Sequence, residues 1–151
     1  MENNYWLNIY NSTIRFIQEE IKYLKDLGYS ETLEFRNLDD HSNNDVMPSG
    51  DFIGLKSFCC NYDDSFIKPV FQLGISTFED QNLVRHNELV DHFVQKMLPM
   101  ETYVVADHES PYTPLGKAIF VDNLTVKPFE KISTRSIQFI LVDVEITKTT
   151  R

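Results

Sequence analysis

The period of the hydrophobic pattern switches along this chain, and each switch marks an element. From about Asn3 to Leu27, the residues Trp6, Ile9, Tyr10, Ile14, Ile17, Ile21 and Leu24 recur every three or four positions, with Glu19, Glu20, Lys22 and Lys25 between them. That spacing predicts an amphipathic helix with one face on a core. Asn3 or Asn4 is placed to cap its start, and Gly28 supplies the left-handed residue that ends it. A short strand is expected over Thr32–Arg36, followed by a polar, turn-rich loop from Asn37 to Gly50.

Beyond the loop the period falls to two. Phe58, Cys60 and Tyr62 share one side of a predicted strand, and Phe71, Leu73 and Ile75 share one side of the next, with NYDDS as the turn between them. An antiparallel hairpin follows, in which Pro69 suits an edge or a bulge because it lacks a ladder N–H. From Gln81 to Leu98 the helical period returns through Leu83, Val84, Val90, Phe93, Val94, Met97 and Leu98, with Asp80 or Asn82 as cap and Pro99 past the end. Strands are then expected in ETYVVAD and KAIFVD, with a connection through NLTVKPFEKIST.

The closing strand, RSIQFILVDVEIT, has two unlike rows. Ile140, Val142, Val144 and Ile146 form an apolar row, whereas Phe139, Leu141, Asp143 and Glu145 turn from apolar to acidic. Two one-sided helices and a set of alternating strands predict a single α+β domain over residues 1–151: a largely antiparallel sheet covered by two amphipathic helices. The apolar row should lie under the helices. The mixed row asks for a less permanent cover, such as a neighbouring subunit.

Composition then removes several classes of function. At 151 residues and 42% apolar content the chain is long enough to bury roughly 68–70% of its unfolded surface. Twenty-three acidic against 14 basic residues give a net charge of −9, with no basic stripe to grip phosphates. The adjacent Cys59 and Cys60 have neither the spacing of a disulfide framework nor that of a zinc or redox pair, which fits a reducing compartment. No secretory leader or membrane-spanning run is read, so a soluble protein with a silent Asn11 sequon is expected.

Candidate chemistry is thin. Asp39, Asp40, His41 and Asp45 lack the alternating ligands, central glycine and terminal glutamate of a calcium loop. His86 and His92 stand six positions apart and do not share a helix face, and Asp107, His108 and Glu109 have no nucleophile or glycine-rich phosphate loop beside them. No catalytic residue, metal ligand or cofactor site is assigned. The competing enzymatic reading is a small metal-assisted hydrolase using Asp39, Asp40, His41, Asp107 and His108 from two loops.

The order of elements, with the phrases FQLGIS, QNLVRHNELVDHFVQKMLP, KAIFVDNLTVKPFE and RSIQFILVDVEIT, resembles the tail terminator proteins of long-tailed bacteriophages; the loop Asn37–Gly50 has no counterpart in that pattern. The resemblance implies a homohexameric ring that caps the finished tail tube, stops its polymerisation and presents a surface to the head-side neck protein, with a tail sheath as a further neighbour. DNA would pass through an acidic lumen without specific binding, in a virion assembled in the bacterial cytoplasm. On that reading Arg135, Gln138, Phe139, Leu141, Asp143 and Glu145 become the subunit or tube interface; the alternative for Phe139 and Leu141 is a second small core layer beneath a loop. Another head–tail connector component is the alternative of the same kind.

Overall fold

The computed structural model describes residues 5–40 and 50–147. Helix α1 (Tyr5–Asp26) buries Ile9, Ile17, Ile21 and Leu24. It stops where Gly28 takes φ +82°, and the amides of Gly28 and Tyr29 donate back to the carbonyls of Lys25 and Leu24 at 3.0 and 3.1 Å. The expected caps Asn3 and Asn4, and residues 41–49 of the predicted loop, lie outside the described residues.

The strands are β1 (Glu34–Asn37), β2 (Phe52–Tyr62) and β3 (Phe66–Phe78), then, after helix α2 (Val84–Lys96), β4 (Thr102–Ala106), β5 (Pro114–Val126), β6 (Glu130–Ile132) and β7 (Arg135–Thr147). They form one sheet in the order β1-β2-β3-β7-β5-β4, with β6 also on β7. Only β1 runs parallel to its neighbour β2; the other pairings are antiparallel. The fold is α+β, with both helices on one face of a largely antiparallel sheet.

The closing strand sits at the centre of this sheet. Its row Ile140, Val142, Val144 and Ile146 is buried on the helix-covered side, as its alternation predicts. Phe71, Leu73 and Ile75 of β3 face the same way, directly opposite Val142, Ile140 and Gln138.

Three local expectations change. Pro69 lies in β3, between β2 and β7, and not on an edge. The ladder to β7 is broken there, pairing Ile67 with Ile146 and resuming only at Val70 with Asp143, because proline has no N–H to donate. The predicted connection after Asp122 instead lengthens β5 to Val126 and adds β6. β7 is 13 residues long, so its second edge takes two partners, separated around Pro128. Helix α2 starts later than Gln81: a 3-10 turn, Gln81–Leu83, precedes it with Asn82 and Leu83 at φ 60° and 56°. Asp80 caps across that turn, its carboxylate accepting from the amides of Arg85 and His86 at 3.3 and 2.8 Å.

The sheet curls, and α1 meets both of its ends, packing on β1 and β2 at one and on β4 at the other. Small polar side chains on the helix make the second contact. Ala106 donates its amide to Ser12 Oγ at 2.9 Å, Thr13 Oγ1 lies 2.9 Å from the Tyr103 hydroxyl, and His108 donates its amide to Asn8 Oδ1 at 3.0 Å.

A buried carboxylate ties the remaining pieces together. Asp51, at the entrance to β2, accepts from Arg85 Nε on α2 at 3.0 Å, from the Phe78 amide at the end of β3 at 3.0 Å and from Ser30 Oγ after α1 at 2.9 Å. Burial alone would push the Asp51 carboxyl up. The bonds from Arg85, Phe78 and Ser30, with the Arg85 charge, outweigh it and hold the carboxyl below its ordinary value of 3.8. Its stabilisation is therefore fully present above that value and is lost as the pH falls through the depressed one. Asp51→Asn should destabilise the protein at neutral pH by about 2–3 kcal/mol, between the limits for exposed and fully buried pairs because the Arg85 side chain is half-exposed. Denaturant titrations from neutrality into acid should also show a flatter acid limb for the variant; parallel limbs would reject this role for Asp51.

Candidate functional site

Both described helices lie on one face of the sheet, and no described helix covers the other. Along β7 the outward positions are Arg135, Ile137, Phe139, Leu141, Asp143 and Glu145, and their register neighbours decide what each touches. Gly74 of β3 stands opposite Phe139, and Gly54 of β2 stands opposite Gly74. These two glycines form a notch in the face. A Cβ on Gly74 would meet the Phe139 ring at 2.9 Å, and one on Gly54 would meet Leu38 at 2.5 Å, so the phenyl ring and the Leu38 side chain lie directly over backbone. Lys56 Nζ sits 5.0 Å from the centre of the same ring. Phe139 thus belongs to a small second core beneath the segment that follows β1.

Among the described residues this cover ends farther along β7. Leu141, between Gln72 and Thr125, is 38% exposed. Asp143 lies half-buried between Val70 and Val121, and Glu145 is half-buried with Ile119 beside it. Neither carboxylate has an ion pair among the described residues. Lys68, across from Glu145, is turned toward Asp63 at 3.5 Å. Val104 of β4 extends the same surface and is exposed. The result is a shallow apolar face with two uncompensated carboxylates at its centre, spaced i, i+2 and so roughly 7 Å apart.

Two of the six interface candidates take no part in this open surface. Arg135 is only 6% exposed, between the rings of Phe52 and Phe78, and it donates to Ser76 Oγ at 3.0 Å and to the Gly50 carbonyl at 2.9 Å. Gln138 has the opposite parity and points under α2. Its Nε2 donates to the Lys127 carbonyl at 2.9 Å, which leaves its Oε1 to accept from His86 Nε2 at 2.9 Å. That bond assigns the proton of the neutral imidazole to Nε2, and His86 Nδ1 then accepts from Ser136 Oγ at 3.0 Å. Ser136 and Asp80 line a cleft of about 600 Å³ together with Phe129 and Lys131. A serine beside a histidine resembles a nucleophile and base, but no carboxylate orients this ring; Asp80 bonds the His86 main-chain amide instead. The group ties α2 to β3 and β7.

The loop residues considered for metal chemistry are also used in local structure. Asp39 accepts from the Ser57 amide at 2.8 Å, where Ser57 takes φ 57° in the bulge of β2. His108 Nδ1 lies 2.7 Å from Asn8 Oδ1, and Asp107 accepts from the Glu109 amide at 3.0 Å. Among the described residues no group of three His, Cys, Asp or Glu side chains could hold a metal; His41 and Asp45 lie outside them. Burial pushes the Cys60 thiol up to about 12, with the neighbouring Cys59 adding to it, so it is a poor source of thiolate.

Sequence alternation pointed to the β7 row, and among the described residues the alternative core layer beneath a loop is found over Phe139 but not over Leu141. Leu38 falls within the expected polar loop Asn37–Gly50 yet packs over the Gly54–Gly74 notch. Ile119 and Val121 are legible as outward apolar positions alternating with Ala118 and Phe120, and they flank Glu145 and Asp143 on the outer face.

No family model and no curated protein matches the chain. Six solved chains match. One of these, which carries no functional name, is 6% identical over 80% of this chain and 82% of its own, with a TM-score of 0.55. At that identity the likeness shows the fold alone. No helix of the described residues is long and apolar enough to cross a membrane.

The two faces of β7 should respond differently to truncation. Ile140→Ala is expected to cost about 2–5 kcal/mol of stability and Leu141→Ala less than about 1 kcal/mol, read from paired denaturation midpoints. Equal losses would mean that the outer face is as permanently covered as the inner one.

Proposed function

We propose that this protein is the subunit of a ring that terminates the tail of a long-tailed bacteriophage, capping the tail tube and joining it to the head-side neck. The observation that carries the reading is the outward face of β7. A central strand presents Leu141, Asp143 and Glu145 on an open sheet face that no described helix covers. Such a face fits a protein whose work is steric and interfacial, and the resemblance in element order supplies the kind of assembly. The net charge of −9 has a use there, because an acidic lumen would repel phosphate and let DNA pass without sticking. The tube protein, the neck protein and, in a contractile tail, the sheath are the partners of this reading, with no cofactor required.

Tail tubes assembled with and without the purified protein provide the test. Native mass spectrometry should find a discrete six-membered species, free or formed on tubes, and electron microscopy should find tube growth stopped at the decorated end. A strict monomer that ignores tubes would overturn the reading, whereas a ring that binds only head vertices would move it to another connector. Leu141→Asp should abolish the ring while leaving the monomer's melting temperature nearly unchanged. Normal rings from that variant would exclude the β7 face as an assembly surface.

A further inference from the structure

The helix layer carries a patch complementary to the open sheet face. Tyr23 in the last turn of α1 and Leu27, just past its end with its amide on the Tyr23 carbonyl at 3.1 Å, are 51% and 56% exposed, although most large apolar side chains of that helix are turned inward. Tyr23 is held in place, its ring stacked on His92 of α2 at 5.8 Å with Lys96 Nζ 5.9 Å from its centre. Lys22 and Lys25 flank the two apolar residues and are exposed. None of Lys22, Lys25 and Lys96 has an ion pair among the described residues. Lys22, Lys25 and Lys96 thus stand around a ridge of the fixed Tyr23 ring and Leu27, on a surface that also carries Glu19, Asp26 and the Glu20 paired with His92. On the opposite side of the molecule, two carboxylates that also lack ion pairs lie within a shallow apolar face.

These surfaces cannot meet within one protomer. The ridge is on the outward side of the helices, which themselves cover the inner face of the sheet, whereas Leu141, Asp143 and Glu145 lie on its outer face. We infer that the occupant of the open sheet face is a second copy of this chain, seated through its Tyr23–Leu27 ridge with Lys22 and Lys96 directed at Asp143 and Glu145. The contact would place a helix on the uncovered face, giving the sheet helices on both sides, and would bring each carboxylate near a cation as water leaves. Because it joins two different patches, it is heterologous and repeats from copy to copy until the rotation closes a ring or a filament grows. Its closure as a ring rests on the function proposed above; the pairing of the two patches does not.

Charge reversal on either patch separates these claims. Lys22→Glu with Lys96→Glu, and Asp143→Lys with Glu145→Lys, should each weaken self-association by at least about tenfold, because each sets like charges against each other in every contact. Mixed in equal amounts, the two variants should regain assembly in alternating order, since each then offers the other an opposite charge at both patches. Sedimentation velocity, with and without tail tubes, reads the outcome, and circular dichroism checks that the variants fold. If the lysine exchange unfolds its variant, Asp143→Asn with Glu145→Gln should give the same loss to a smaller degree. The pairing is overturned if either reversal assembles like the wild type, if the mixture does not recover, or if the wild-type protein never self-associates. Recovery of assembly without any arrest of tube growth would uphold the pairing and reject the tail-terminating role.

Discussion

The sheet depends on a helix that must meet both of its ends. A curled sheet with β1 and β4 as its terminal strands has two open edges and one concave face, and α1 fills that concavity. The apolar residues Ile9, Ile17, Ile21 and Leu24 account for the burial. Asn8, Ser12 and Thr13 account for the position, since they bond the β4 side of the structure directly. Hydrophobic area is indifferent to small sliding motions, whereas short side-chain hydrogen bonds to a strand edge are not. The curl that results leaves the convex side of the sheet facing outward with both helices spent on the other.

Asp51 performs the corresponding task for the second helix. One carboxylate collects the end of β3, the segment after α1 and the first turn of α2, with Asp80 capping that helix beside it. Each bond favours the ionised carboxylate over the desolvation that opposes it. The His86, Ser136 and Gln138 group then fastens α2 to the start of β7. Polar groups at this end of the molecule, Ser136 and His86 among them, hold the layers together.

The outer face acquires its character from the same constraints. Near the start of β7 it is closed by Arg135, Phe139 and Leu38 over the glycine notch; toward the end it opens onto Leu141, Asp143 and Glu145. A strand with one half covered by its own chain and the other half uncovered is an economical way to present a specific surface, since the covered half fixes the position of the other. Tyr23 is fixed in a comparable way by His92.

Much of this was legible in the sequence, and the limit of legibility has a physical basis. Periodicity alone determined both helices, the hairpin of β2 and β3, the inward row of β7 and the α+β class, because burial of one face imposes a period of 3.6 or 2 on whichever residues are apolar. Gly28 announced its helix end because few residues accept positive φ. Alternation also marked the second face of β7 as unusual. It did not reveal that Arg135 is buried between two rings, that Gln138 belongs to the inner face, or that Leu38 leaves its loop to cover a pair of glycines. Nor did it reveal that Pro69 interrupts a central ladder, or that Ser12 and Thr13 grip β4 while Asn8 holds His108 just beyond it. Those features depend on which strands become neighbours and on contacts between residues many positions apart. A local period carries no information about such partners, and only the tertiary structure brings them within reach of one another.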